Sequence, residues 1–442
     1  MSNLPQHVVY SSPLQRDYIS LLKSVLIGLN RINKLQFKPT QKLINNQFTC
    51  LLVEQSYEQR LVGRDWPLDA ETMIGLKRME NVEFCVNEVI KNQIPGDFLE
   101  TGVWRGGTCI FVRGILKALG ISNKTVWVAD SFQGLPTPNV EQYPEDMGDI
   151  LYSFNELQVS EEDVRSNFET YNLLDNQVKF LKGWFKDTMP IAPIEKLSVL
   201  RLDGDMYEST IDVLLPMYPK LSIGGYCIVD DWGAIPACKQ AVEDYRLVFD
   251  LDEEVIKVDW TGVYFKKTRD TKVISIDEFR IILAEKKRAQ LQKRSESFRK
   301  LPLLFKFNGD LYQEEGVVIK NIDDTKISEG DFGFLSTSND PMIILPELKL
   351  AEKERYCLSV ELTVDKTTKL QVFFKTKSDN KYSEHNSQKH WIEKGRNRLI
   401  FEVREDEIIG SVRLDPGDFI GSYILHNLEI RSIDSFNSMF RL

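Results

Sequence analysis

Two apolar runs that each end in acids constrain this chain most. Leu197–Leu202 is short and nearly continuously apolar, the pattern of a strand buried on both faces, and it stops at Asp203 and Asp205. A helix-period segment follows, with Ile211, Leu214, Leu215 and Tyr218 on one face. Pro216 inside it predicts a kink or a late start. Gly224-Gly225 reads as a turn, and Tyr226–Val229 is a second apolar run, ending in Asp230-Asp231. Two neighbouring parallel strands would set these carboxylates at their C-terminal ends, where open α/β sheets hold ligands. Carboxylates a few ångströms apart repel, so such a cluster calls for a neutralising partner. An all-oxygen donor set suits Mg, Ca or Mn rather than Zn. A solvated acidic loop with a helix cap is the plain alternative, but acids ending two successive strands favour a metal or substrate site.

A second stretch reads as strand, loop and helix: Asp97–Glu100, the glycine-bearing Thr101–Gly107, then a helix from Thr108 to Leu119. Such a unit lets backbone approach a ligand at a helix N-terminus. It is not G-x-G-x-x-G, which weakens a dinucleotide reading. Glu100 at the strand end suits a cationic or amino-bearing ligand, although many glycine turns merely pack a helix on a strand. Thr125–Asp130 is another strand ending in an acid, where a doubly wound sheet places a carboxylate for ribose hydroxyls. Val178–Leu181 is followed by Gly183-Trp184, an aromatic that could flank a flat base or simply fill a core. The polar, proline-bearing stretch 137–157 reads as a lid, a substrate loop or a flexible connection. Asp69–Ile90 reads as one long helix, Ser160 caps a helix to about Leu174, and Pro236 opens another. Residues 254–258 and 261–265 pair about Asp259-Trp260. The sum is an α/β sheet with an antiparallel edge.

The remaining composition excludes several classes. A net charge of −10 argues against general nucleic-acid binding. No apolar run reaches membrane-spanning length and the first residues lack a signal-peptide core, so a cytoplasmic protein is expected. Cys50, Cys85, Cys109, Cys227, Cys238 and Cys357 are scattered without a C-x-x-C pair, and read as free thiols in a reducing compartment. The four histidines, His7, His385, His390 and His426, leave residues 8–384 without any. Chemistry in the α/β region therefore uses no histidine base.

The chain of 442 residues divides into a helical extension (1–60), the α/β domain (61–270), a charged helical linker (271–300) and a β domain (301–442). The apolar helix Tyr18–Asn30 needs a partner surface on the main domain or on a dimer mate; a homo-oligomer is expected. The basic run near 285–294 reads as a solvated helix face. Alternating short runs after residue 301, separated by turn residues, predict a β-sandwich of jelly-roll type. It could hold a saccharide, with Trp391 and His390 as candidate stacking residues, or dock the enzyme, or dimerise; ordinary sandwich residues are the plain reading of both.

GDFLETGVWRGGT, VWVADSFQGLP, FLKGWFKDTMP, VLRLDGDMYEST and GGYCIVDDWGAIPACKQAVEDYR together resemble the macrocin O-methyltransferase family, from about Leu61 to Lys267. The resemblance implies a class I methyltransferase with a Rossmann-like sheet, S-adenosylmethionine as methyl donor, Mg2+, and a sugar hydroxyl as acceptor. By position, Glu100, Thr101, Gly102, Val103, Arg105 and Gly106 would wrap the methionine part of the donor. Asp130 and Ser131 would meet its ribose, Gly183 and Trp184 its adenine, and Met73 with its helix would line the same space. Asp203, Asp230 and Asp231 would hold the metal, and Asp203 would take the hydroxyl proton. Asp205 receives no role. The acceptor would be a sugar-containing small molecule, a glycan or a nucleotide-sugar. The same metal logic would serve a non-sugar vicinal diol, and a non-catalytic glycan-binding scaffold is the remaining alternative.

Overall fold

Ser12 opens the first helix, α1 (Pro13–Leu26), with a reciprocal cap: Gln15 N donates to its Oγ (3.2 Å) while its own N–H donates to Gln15 Oε1 (3.1 Å). Ile19, Leu22 and Leu26 on its apolar face are buried in the core of the main domain. The computed structural model describes residues 10–30, 34–44, 47–307, 316–328, 331–347, 355–376, 379–403 and 408–433; His7 lies outside them. The chain forms two compact units, Met1–Leu283 and Ala284–Leu442. The division falls within the charged helix expected as a linker.

The N-terminal segment is not wholly helical. After α1 come an antiparallel pair, β1 (Leu35–Ile44) and β2 (Gln47–Glu54), then α2 (Tyr57–Val62) and β3 (Trp66–Pro67), which pairs with β1. The helix expected from Asp69 is shorter, α3 (Leu76–Lys91). The buried guanidinium of Arg60 explains the late start: its Nη2 donates to the carbonyls of Met73 (2.6 Å) and Ile74 (2.7 Å), and Gly75 is extended. Met73 therefore sits on a bend before the helix, not on it.

The chain then alternates β4 (Asp97–Thr101), α4 (Gly107–Ala118), β5 (Val126–Asp130), α5 (Glu161–Thr170), β6 (Val178–Lys182), α6 (Phe185–Thr188), β7 (Leu197–Leu202), α7 (Tyr207–Met217), β8 (Leu221–Val229), α8 (Pro236–Val248), β9 (Ile256–Lys257), β10 (Val263–Lys266) and α9 (Ile276–Arg299). The sheet order is β6-β5-β4-β7-β8-β10-β9, parallel except for β10 and β9. Chain order reverses between β4 and β7, which creates a crevice at their C-terminal ends. All of β7 is buried, and alternation along the strands feeds two cores, Phe98 and Val199 on one face, Leu99 and Leu200 on the other.

Two local expectations change. Pro216 lies in the last turn of α7, where few i→i−4 bonds remain to lose, and the helix passes into the 3-10 turn Tyr218–Lys220 without an early break. Gly224-Gly225 lies inside β8 at a register irregularity against β7, with Gly224 at φ +87°; it is a bulge rather than a turn. The stretch 137–157 holds three short 3-10 turns and is packed: buried Phe154 lies 5.7 Å from the Phe48 ring and 5.3 Å from that of Trp66.

The second unit carries two antiparallel sheets. One runs Ile322–Ser328, Asp331–Ser336, Ser422–Ile433, Arg355–Val364, Gly395–Val403 in space; the other runs Val318–Lys320, Met342–Ile344, Ile408–Asp415, Thr368–Thr376, Ser387–Ile392. Leu358, Val360, Tyr423 and Leu425 from the first share one core with Val372, Phe374, Val412 and Leu414 from the second. Trp391 is 42% exposed with Lys369 Nζ 4.5 Å from its ring, whereas His390 packs on Phe401. No helix among the described residues is long and apolar enough to cross a membrane. All six cysteines are free.

Candidate active site

The loop after β4 is shaped by one close approach. Gly102 has φ +85°, and a Cβ there would stand 1.7 Å from the carbonyl oxygen of Asp203, so only glycine lets the β4 and β7 ends lie this near. Asp130, at the end of β5, ties down the loop: Val103 N donates to its Oδ2 (2.9 Å) and Phe132 N to its Oδ1 (2.8 Å). Ser131 Oγ donates to the carbonyl of Gly134 (2.7 Å). Trp104, at φ +48°, donates from Nε1 to the Glu156 carbonyl (3.0 Å) and so joins the loop to the 137–157 stretch.

Two arginines hold the acids. Arg201, fully buried within β7, donates from Nη1 to Glu100 Oε1 and to Asp203 Oδ2 (2.6 Å), and from Nη2 to Asp230 Oδ1. Arg78, on α3, donates to Asp230 Oδ2, to Asp259 Oδ2 (3.1 Å) and to the Gly63 carbonyl (2.9 Å). Cys109 Sγ donates to the other oxygen of Glu100 (2.8 Å). Asp205, at φ +58°, turns its N–H to Asp231 Oδ2 (3.3 Å). The neutralising partner that the acids demand is thus partly supplied by the chain itself, but incompletely. Burial pushes Glu100 up to about 7 despite Arg201. It pushes Asp203 up to about 6, and Asp205 and Asp231 well above the ordinary carboxylate range. The residual negative charge is stored as a demand for protons or for a cation.

Asp203, Asp230 and Asp231 each bring one oxygen within 4.8 Å of the others. Their hydrogen bonds use Oδ2 of Asp203 and of Asp231, so each keeps a second oxygen, and an arginine-bonded oxygen of Asp230 retains a further lone pair. An all-carboxylate set with no histidine or thiolate fits a hard divalent cation.

These acids open onto a cavity of about 590 Å³, within the range of small-molecule sites. Met73, Glu100, Gly102, Val103, Asp130, Ser131, Gly183, Trp184, Asp203, Asp230 and Asp231 all line it. Thr101, Arg105 and Gly106 do not. Thr101 Oγ1 donates to the Arg201 carbonyl (3.3 Å). Arg105 donates to the carbonyls of Leu68 (2.8 Å) and Ala70 (2.9 Å) and lies 4.1 Å from the Trp104 ring. Gly106 is the left-handed N-cap of α4. These three build the loop from behind. The cavity also takes in Trp104, within the loop expected to wrap the donor, and Glu208, Asp212 and Trp260, to which the sequence assigned no role. Trp260 is fixed by its Nε1 on the Val62 carbonyl (3.0 Å) with Arg64 4.7 Å over its ring.

Comparison with known proteins identifies the lineage. Demethyldecarbamoylnovobiocin O-methyltransferase of Streptomyces niveus is 57% identical over 213 residues, covering 48% of this chain and 81% of that protein. Mycinamicin III 3''-O-methyltransferase of Micromonospora griseorubida is 50% identical over 223 residues, 49% of this chain and 87% of that one. The solved structure of the O-methyltransferase NovP aligns at TM-score 0.53 and 50% identity, over 58% of this chain and all (100%) of that one, and fits the class I fold. The family model described as macrocin-O-methyltransferase (TylF) matches residues 15–267, so the protein belongs to the macrocin O-methyltransferase family and is an O-methyltransferase.

Proposed function

We propose that the protein moves a methyl group from S-adenosylmethionine to a sugar hydroxyl with Mg2+ at Asp203, Asp230 and Asp231. The observation that carries this reading is the convergence of these carboxylates with the glycine loop on one cavity at the switch point of the sheet. The names of the relatives, which include a 3''-O-methyltransferase and a rhamnosyl 4'-O-methyltransferase, support a sugar acceptor. S-adenosylmethionine supplies the methyl group on a sulfonium. Mg2+ supplies the positive charge that makes a bound hydroxyl acidic.

The chain's own residues do the rest. Glu100, held by Arg201, would offer carboxylate oxygens to the cationic end of the donor, and Asp130 with Ser131 would meet its ribose. Trp184 and Gly183 would flank the adenine, and Met73 would close the same space. Arg201 holds Glu100, Asp203 and Asp230 in one orientation, so the acids need not reorganise on binding. Proton removal was expected of Asp203. Arg201 bonds one oxygen of Asp203 and the metal would take the other, so its remaining lone pairs would lie between two cations and be weakly basic, whereas no arginine engages Asp205 among the described residues. We therefore assign the proton to Asp205. The test is the double variant Asp230→Ala, Asp231→Ala. Calorimetry should find S-adenosylmethionine binding close to wild type while turnover is abolished; a double variant that still methylates would overturn the metal assignment.

A further inference from the structure

The cavity holds a second pair of carboxylates that the metal and donor roles leave unused. Glu208 and Asp212 are one turn apart on α7, on one face, and both line the cavity. Asp146 presents the start of this helix: Tyr207 N donates to its Oδ1 (2.6 Å) and Glu208 N to its Oδ2 (3.0 Å). The Glu208 backbone is thereby satisfied and its side chain is left for other use. That side chain belongs to a residue only 8% exposed, and its carboxylate takes no hydrogen bond from any described residue. The Asp212 carboxylate takes none either. Burial raises both, Asp212 to about 7. Glu208 is buried and Asp212 half-buried, and both carboxylates face the cavity, where a bound ligand would replace the water that now serves them.

The chemistry of the missing partner can be narrowed. Among the described residues, the one group of three or more donor side chains close enough to share a metal ion is Asp203, Asp230 and Asp231, and Glu208 and Asp212 do not extend it. Lys186 lines the same cavity and its charge already acts on both. What they lack is a hydrogen-bond donor rather than a cation. An ionised carboxylate only accepts, and a sugar ring offers several hydroxyl donors at once.

We propose that Glu208 and Asp212 form the acceptor subsite, taking hydrogen bonds from ring hydroxyls of the sugar other than the one methylated. This rests on the reading that the acceptor is a sugar. The pair acts as positioning residues: they set which hydroxyl lies beside Asp205 and the metal set.

The test compares wild type with Glu208→Gln and Asp212→Asn. A panel of hexosides and deoxyhexosides, free and nucleotide-linked, is assayed with S-adenosylmethionine and Mg2+. The variants should bind S-adenosylmethionine within two- to threefold of wild type and melt at the same or a higher temperature, since each loses a partly desolvated carboxylate that no described donor holds. Their KM for the best acceptor should rise about tenfold or more with a small change in kcat. For the deoxy analogue lacking the bonded hydroxyl, wild type and variant should have nearly equal KM. An unchanged acceptor KM in both variants overturns the subsite and leaves the methyltransferase reading standing. A lowered melting temperature with weakened donor binding assigns the pair a structural role instead. A wild-type protein that binds the donor yet methylates no sugar overturns both.

Discussion

Arg201→Met is the sharpest probe of the acid cluster. One buried guanidinium serves Glu100, Asp203 and Asp230; of these three acids Arg78 would still bond Asp230, and Glu100 would keep only the weak Cys109 donor. The substitution therefore strands Glu100 and Asp203, which must keep their protons to stay buried. With Arg201 in place Glu100 titrates at about 7 and Asp203 at about 6. At pH 8 the variant pays one further pH unit at Glu100 and two at Asp203, about 4 kcal/mol together. That agrees with the roughly 3–5 kcal/mol lost when a buried pair is broken from one side. At pH 6 both groups largely hold their protons in either protein, and the difference falls to about 1 kcal/mol or less. The sign follows from linkage: a carboxyl raised on folding contributes stability at low pH, which is lost as pH climbs through its folded value. The assay is thermal unfolding of chelator-treated protein between pH 5.5 and 8.5. Tryptophan fluorescence follows it, because six of the seven tryptophans lie in the first unit. At roughly 2 °C per kcal/mol, wild type and variant should separate by about 8 °C at pH 8 and converge near pH 6. A gap below about 2 °C at pH 8, or one independent of pH, would refute the argument that Arg201 neutralises this cluster.

Other outcomes follow from the same geometry. Added Mg2+ should raise the melting temperature strongly at pH 8 and weakly at pH 5.5, because cluster protons must leave before the ion binds; a pH-independent rise would place the ion elsewhere. Gly102→Ala should raise the dissociation constant of S-adenosylmethionine at least about tenfold, since its Cβ would overlap the Asp203 carbonyl and the residue needs φ +85°; calorimetry reads it, and near-normal binding would mean the loop can move aside. Asp205→Asn should lower kcat about 100-fold or more with donor affinity kept, whereas an Asp203-centred proton transfer would leave the variant active.

Much of the site could be read from the chain because strand ends announce it. The buried run Leu197–Leu202 and the acids at Asp203, Asp230 and Asp231 are local patterns, and the sheet places them as expected. Arg201 carried a signal too: a charged residue inside a fully buried strand must have partners. Arg78 carried none, since its role on Asp230 depends on chain meeting across about 150 positions. The start of α3 was hidden for the same reason, because Arg60, not a local cap, takes the carbonyls of Met73 and Ile74. The β1–β2 pair was legible in retrospect from the short apolar run Cys50–Val53 in β2. Glu208 looked like one more acid in a helix; only its place on the cavity wall sets it apart.

The most direct test of the central claim is mass spectrometry of acceptors incubated with trideuteromethyl S-adenosylmethionine, with Mg2+ or with chelator. Our account expects a single labelled methyl on a sugar hydroxyl, present with the metal and lost with the chelator. Label transferred equally in both would contradict the role given to Asp203, Asp230 and Asp231, and no label on any sugar would contradict the proposed function itself.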